Sequence, residues 1–251
     1  MVTPLFSIIT INYNNATGLQ KTMQSVLDQS FSNFEYLIID GGSTDDSKAI
    51  IEKFISEHPN SSKITYWCSE KDGGIYPAMN KGIKLAKGQF ICMLNSGDCF
   101  CENVLSSVGK QALNFPDSIL YGAVSVIENG KYKYVSCLNA DMLPTNTLPH
   151  QGIFIPKSVH EKYGSYDESF KVCADYNFLL TVYQTGVPFH FLDLIICDYD
   201  GTGLSSTNRR LLVAENIRIW KSHGVYVSPR KQFVKSFFPR LLNLLKRIIT
   251  E

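Results

Sequence analysis

Apolar residues in the first hundred positions alternate between short continuous runs and stripes at helical spacing. Leu5–Ile11 is a β-rich run. Leu19, Met23, Val26 and Leu27 recur at i, i+4, i+7 and i+8, which predicts an amphipathic helix. Phe34–Asp40 is a second strand, closed by Gly41-Gly42. Ser43-x-x-Asp46 resembles a capping box for a helix whose apolar face is Ile50, Ile51, Phe54 and Ile55. Ile64–Cys68 predicts a third strand. A helix follows with Pro77 in its first turn, an Ala78/Met79/Ile83/Ala86 face and Gly88 as its stop. Phe90–Leu94 predicts the fourth strand. Strand–helix repetition at this spacing implies right-handed crossovers and a parallel sheet covered on both faces. Such sheets bind ligands beyond the carboxyl ends of their strands.

The second half is less regular. Ser118–Ile127 and Tyr132–Cys137 flank Glu128-Asn129-Gly130-Lys131, whose Asn-Gly signals a hairpin. Two further strands, Gly152–Ile155 and Phe189–Cys197, bracket a helix over about 174–184, and another helix runs over about 209–220. No repeat or low-complexity linker interrupts the pattern. The expectation is one domain over 1–228, with a nucleotide-binding half over about 1–100 and a second half over about 101–228, followed by an extension at 229–251.

Composition changes this picture in three places. The 251 residues, 44% apolar and 19% charged, suit a folded domain with a sizeable core. A net charge of only +1 gives no field for nucleic acid. Six Lys/Arg against one acid are concentrated in Pro229–Glu251, interleaved with Phe233, Phe237, Phe238, Leu241 and Ile248. That mixture suits a helix lying on an anionic membrane, kinked near Pro239, and suits equally a segment packed against the domain or a partner subunit. Seven cysteines, with no Cys-x-x-Cys pair and none at zinc spacing, are expected as reduced thiols of a cytoplasmic protein. The apolar run at the N-terminus is too short for a signal region, and none approaches the ~20 residues of a spanning helix.

Three of the four strands run into polar, loop-forming clusters: Thr10-Ile-Asn12-Tyr13-Asn14-Asn15, Asp40-Gly-Gly-Ser-Thr-Asp45-Asp46 and Asn95-Ser-Gly-Asp98. On one sheet edge, such acids accept from a base N–H or ribose hydroxyl, and glycines let backbone approach a ligand. The competing reading is an Asx-type turn that merely caps a helix. Several clusters on one edge favour the ligand. Gly-x-Gly-x-x-Gly, a P-loop and a Gly-x-Ser-x-Gly elbow are all missing, against a dinucleotide oxidoreductase, a P-loop kinase and a serine hydrolase.

These segments resemble family 2 glycosyltransferases. The likeness runs through SIITINYNN (7–15), QS (29–30), EYLIIDGGSTDDS (35–47) and SEKDGGIYPAMNKGIKLAKGQFICMLNSGD (69–98). It continues in HQGIFIP (150–156) and GSYDESFKVCADYNFLLTVYQTG (164–186). It implies the α/β GT-A fold: a Rossmann-like, mostly parallel sheet with helices on both faces, a mixed acceptor-binding half and, here, a C-terminal helical extension. It also implies an inverting transfer from a nucleotide sugar, most simply a UDP-sugar, to a glycan or lipid-linked acceptor in surface polysaccharide synthesis, with Mn²⁺ or Mg²⁺.

Position by position, the resemblance sets Thr10, Asn12 and Tyr13 beside the nucleobase, Asp40 near uracil or ribose, and Asp72 at a second nucleotide contact. Gly41, Ser43, Asn95 and Gly97 fall within the same nucleotide-sugar set. Asp98 matches the last acid of an Asp-x-Asp-like metal motif, and Gly97 stands where many members carry another acid. A hard cation at a strand-end carboxylate suits a diphosphate leaving group. Asp175 matches the general base; spacing alone would make it only a helix N-terminal acid. His150 and Gln151 are expected near donor phosphate or acceptor, and the glycine-containing segment Asp200–Ser206 resembles a loop that folds over the donor. The alternative function is a non-catalytic nucleotide-sugar- or glycan-binding homologue, disfavoured because Asp98 and Asp175 are both present.

Overall fold

Strands β1 (Phe6–Asn12) and β2 (Phe34–Asp40) are buried at every position, the mark of strands covered on both faces. They belong to a computed structural model that describes residues 3–203 and 208–227. Helices α1 (Ala16–Leu27), α2 (Ser47–Glu57) and α3 (Ile75–Leu85) return the chain between parallel strands β1, β2, β3 (Ile64–Ser69) and β4 (Phe90–Met93). The later elements are β5 (Cys99–Phe100), α4 (Val104–Asn114), β6 (Ile119–Glu128), β7 (Lys131–Ser136), β8 (Ile153–Pro156), α5 (Lys157–Tyr163), α6 (Ala174–Gln184), β9 (Phe189–Asp200) and α7 (Arg209–Ser222).

The strand order is β3-β2-β1-β4-β8-β6-β9-β5, with β7 paired to β6. β8 runs antiparallel to both β4 and β6, so the parallel and mixed halves share one hydrogen-bonded sheet. Alternate strand residues feed two cores. Phe6, Ile8, Tyr36 and Ile38 pack under α1, α2 and α4. Ile9, Ile11, Leu37 and Ile39 pack under α3 and, further along, α6 and α7.

Two local expectations are corrected. Ser43 and Asp46 form no capping box: α2 begins at Ser47, Asp46 makes no side-chain cap, and the Ser43 hydroxyl donates to Asp40 instead. Gly88 does not stop α3, which ends at Leu85. Its N–H donates to the Ser7 hydroxyl, and a Cβ there would lie 2.5 Å from the Ser7 nitrogen, so glycine is required by a close approach to β1. The Asn129-Gly130 turn is as expected, both residues having positive φ (52° and 70°). β5, α4 and α5 carry weaker signals. β5 has two residues, α5 has seven, and the α4 stripe is interrupted by Ser106, Ser107 and Gly109. All seven cysteines are free thiols; Cys92, Cys173 and Cys197 are buried and Cys137 is exposed. Among the described residues, no helix is long and apolar enough to cross a membrane. The segments 204–207 and 228–251, with the last three residues of the expected donor loop and the basic extension, lie outside the described residues.

Candidate active site

The carboxyl ends of β1 and β2 hold a dense polar network. Asp40, fully buried, accepts from the Asn12 amide (2.6 Å), the Ser43 N–H (2.9 Å) and hydroxyl (2.6 Å), and the Ser69 hydroxyl (2.7 Å). Burial alone would raise its pKa, but these donors hold the carboxyl below the ordinary value. Asn12 also donates to Ser47 (2.9 Å), while its own Oδ1 is buried without a partner. Ser43 accepts from the Asn14 N–H (2.7 Å), which pins the β1 loop to the β2 loop. Asp72 packs against Gly41, where a Cβ would lie 2.9 Å from its Oδ2. Tyr13 projects outward, 67% exposed. Thr10, expected beside the nucleobase, has its hydroxyl enclosed in the sheet, donating to the Leu94 carbonyl (2.7 Å) and sharing a bond with the Tyr36 hydroxyl. It fastens β1 to the residue that follows β4.

A second group surrounds a cleft of about 730 Å³, which Asn95, Asp98, His150, Gln151, Asp175 and Asp200 all line. Thr22 of α1 sets the turn after β4: it donates to the Asp98 carbonyl (2.7 Å) and accepts from the Gly97 N–H (3.0 Å). Asp98 is 3% exposed and accepts the Asp200 N–H at 2.9 Å. Its pKa is pushed up to about 7 by burial, against the lowering effects of the Asp200 N–H, His150 and Gln151. Gly97 has φ 108°, and a Cβ there would sit 3.3 Å from Asp200 Oδ2. The carboxylate missing at position 97 is thus matched in space by one from the end of β9.

Asp175 lies in the first turn of α6, 14% exposed. Its Oδ1 accepts from the Tyr76 hydroxyl (2.9 Å) and its Oδ2 faces His150 Nδ1 (3.2 Å). Asn95 Nδ2 lies 3.0 Å from His150 Nε2, which selects the tautomer that donates Nδ1–H to Asp175. Burial would raise the Asp175 pKa, but His150 and Tyr76 hold it below the usual carboxylate value. Burial would likewise lower His150, and its bond to Asp175 raises it instead. The site therefore keeps an ionised carboxylate at the cleft wall. Tyr76 was assigned no role from sequence, and Asp200 only a place in the donor loop, yet both line the cleft. Tyr76 meets Asp175 across 99 positions and has no local signal; Asp200 stands at the head of the glycine segment, where a loop role masks a carboxylate.

A parallel half with acids at its strand ends, joined through one sheet to a mixed half bearing a carboxylate over the same cleft, is the architecture of the GT-A fold. The glycosyl transferase family 2 model matches residues 7–171, and the chain belongs to that family. It is 32% identical over 222 residues to an uncharacterized glycosyltransferase of Mycobacterium tuberculosis (strain CDC 1551 / Oshkosh), covering 86% of this chain and 82% of that one. A PGL/p-HBAD biosynthesis glycosyltransferase of Mycobacterium bovis (strain BCG / Pasteur 1173P2) is 27% identical, covering 82% and 81%. Among solved structures, S. aureus TarS 1-349 in complex with UDP-GlcNAc superposes with a TM-score of 0.70 at 17% identity, over 90% of this chain and 69% of that one. The mannosyltransferase PcManGT from Pyrobaculum calidifontis, in complex with GDP-Man and Mn²⁺, gives 0.67 at 13%, over 94% and 70%.

Proposed function

We propose that this glycosyltransferase inverts the anomeric centre, moving a sugar from a nucleotide sugar, most simply a UDP-sugar, to a hydroxyl of a glycan or lipid-linked acceptor in surface polysaccharide synthesis. The observation that carries the reading is Asp175, a carboxylate kept ionised by two donors on the wall of a cleft it shares with Asp98. In the reaction the acceptor oxygen attacks the anomeric carbon from the face opposite the leaving nucleotide diphosphate. Asp175 takes the hydroxyl proton as the new C–O bond forms and the old one breaks. His150 and Tyr76 fix the carboxylate and share its charge beforehand, so little reorganisation is needed at the moment of transfer. The Asn12–Asp40–Ser43 network holds the loops that would receive the nucleoside.

Among the described residues no three His, Cys, Asp or Glu side chains converge on a metal position. The residues present nonetheless fit a hard divalent cation. The charge of Asp200 lies close enough to act on Asp98, and Asn95, whose Oδ1 is buried without a partner, lines the same cleft. Mn²⁺ or Mg²⁺ held there would neutralise charge on the diphosphate leaving group. Leu138, Val172, Leu212, Val213 and Trp220 give the far side of the cleft an apolar wall, which supports an amphipathic acceptor. Membrane contact through 229–251, on the cytoplasmic side, belongs to the same proposal. It requires that truncation after Ser228 abolish sedimentation with anionic vesicles. For the chemistry, the test is Asp175→Asn: donor affinity by calorimetry should hold while kcat falls by roughly 10²–10⁴. Turnover near the wild-type rate removes Asp175 as the base.

A further inference from the structure

A small cavity, about 10 Å³, lies on the sheet side of Asp175, between β4 and β8 and the helices α5 and α6. Ile91, Met93, Ile153, Ile155 and Leu179 make it apolar, and His150, Asp175, His160 and Tyr166 bring polar atoms to it. His160 is 5% exposed, stacked on Phe178 (4.6 Å between ring centres) and edge-on to Tyr166. Its Nδ1 lies 3.2 Å from the Gly164 carbonyl and must be the protonated nitrogen. Nε2 is then a bare lone pair, buried without a partner. A buried acceptor of this kind needs a donor, and the space beside it matches one water molecule.

We infer that His160 is a positioning residue that anchors one buried water against the carboxylate of Asp175. The water donates one O–H to His160 Nε2 and the other to Asp175, adding a third donor to those from Tyr76 and His150. Only a neutral ring can accept in this way, and burial lowers the His160 pKa to about 4, which keeps it neutral. The other titratable groups facing Asp175 are Tyr76 from α3, His150 ahead of β8, Tyr166 from the loop after α5 and Cys173 at the start of α6; Asp98 acts on it through His150. The inference rests on Asp175 being the base.

The test joins a high-resolution crystal structure of the full chain to two variants. The structure should show one water within hydrogen-bond distance of both His160 Nε2 and Asp175. His160→Phe keeps the stacked ring and removes the acceptor. It should lower kcat about tenfold, the scale of one hydrogen bond to a charged group, leave the donor KM unchanged and move the acid limb of the kcat profile to higher pH. His160→Gln, whose amide oxygen reaches the Nε2 position, should restore most of the loss. A cavity without water, or equal loss in both variants with an unmoved acid limb, overturns the inference. Asp175→Asn separates it from the reading beneath: normal turnover in that variant, with the water in place, removes the base and leaves the hydrated site standing.

Discussion

The polar network at the ends of β1 and β2 and the one between β4, α6 and β9 use the same residue types, yet they differ in how far they are satisfied. In the first, Asp40 accepts four bonds from its own neighbours and has no exposed surface. In the second, Asp175 has two side-chain donors and part of its surface in the cleft, and Asp98 has the charge of Asp200 nearby. A carboxylate satisfied by its own chain serves as scaffold, because displacing its bonds costs what a ligand would gain. A carboxylate with lone pairs left over has capacity for a proton or a cation. Under the proposed mechanism, the difference separates residues that would shape the donor site from residues that would act on the reactants.

Asp175→Asn, with its fall in kcat, is the sharpest way to break this comparison. Asp98→Ala comes next: metal-dependent donor binding should be lost, seen as disappearance of the Mn²⁺-induced thermal shift with nucleotide sugar. Asp200→Ala should weaken the same shift about tenfold in metal concentration, consistent with one carboxylate fewer. If it does not, Asp200 belongs with the scaffold. The pH dependence of stability tests the buried imidazole. The folded His160 titrates at about 4 against an ordinary 6.5, so the unfolded chain protonates first as pH falls. Its contribution is complete above pH 6.5 and is lost as pH falls toward 4, on the order of 3 kcal/mol. His160→Phe should flatten that part of the urea-unfolding profile. Asp40→Ala should cost about 1–3 kcal/mol by stranding donors on Asn12, Ser43 and Ser69, with thermal unfolding lowered accordingly. Tyr76→Phe, which removes one direct donor to Asp175, should lower kcat about tenfold, the same scale as His160→Phe.

Most of the parallel half was legible because its strands are continuous apolar runs and its helices carry full stripes. The β2 bounds, Phe34–Asp40, match the apolar pattern residue for residue. Local pattern failed where the determinant was not local. Ser43 favours Asp40 over a helix cap because the buried carboxylate competes for its hydroxyl. Gly88 is required by β1, 81 positions away. In the site, Asp98 and Asp175 were found by motif and do line one cleft. The Tyr76–Asp175 and Gly97–Asp200 contacts were hidden, since nothing near any of the four residues marks its partner.

The pairing of β4 with β8 has a consequence for modularity. A parallel half and a mixed half invite exchange between enzymes, as if specificity were assembled from interchangeable parts. Here a junction near residue 100 would leave β8 to find a new neighbour for Ile155 and Pro156 opposite Ile91 and Phe90. It would also separate Tyr76 from Asp175. Recombination at that seam joins two strangers through the middle of a sheet. If the cleft takes the acceptor as proposed, new specificities are more readily reached by changing the residues of its wall than by grafting a half.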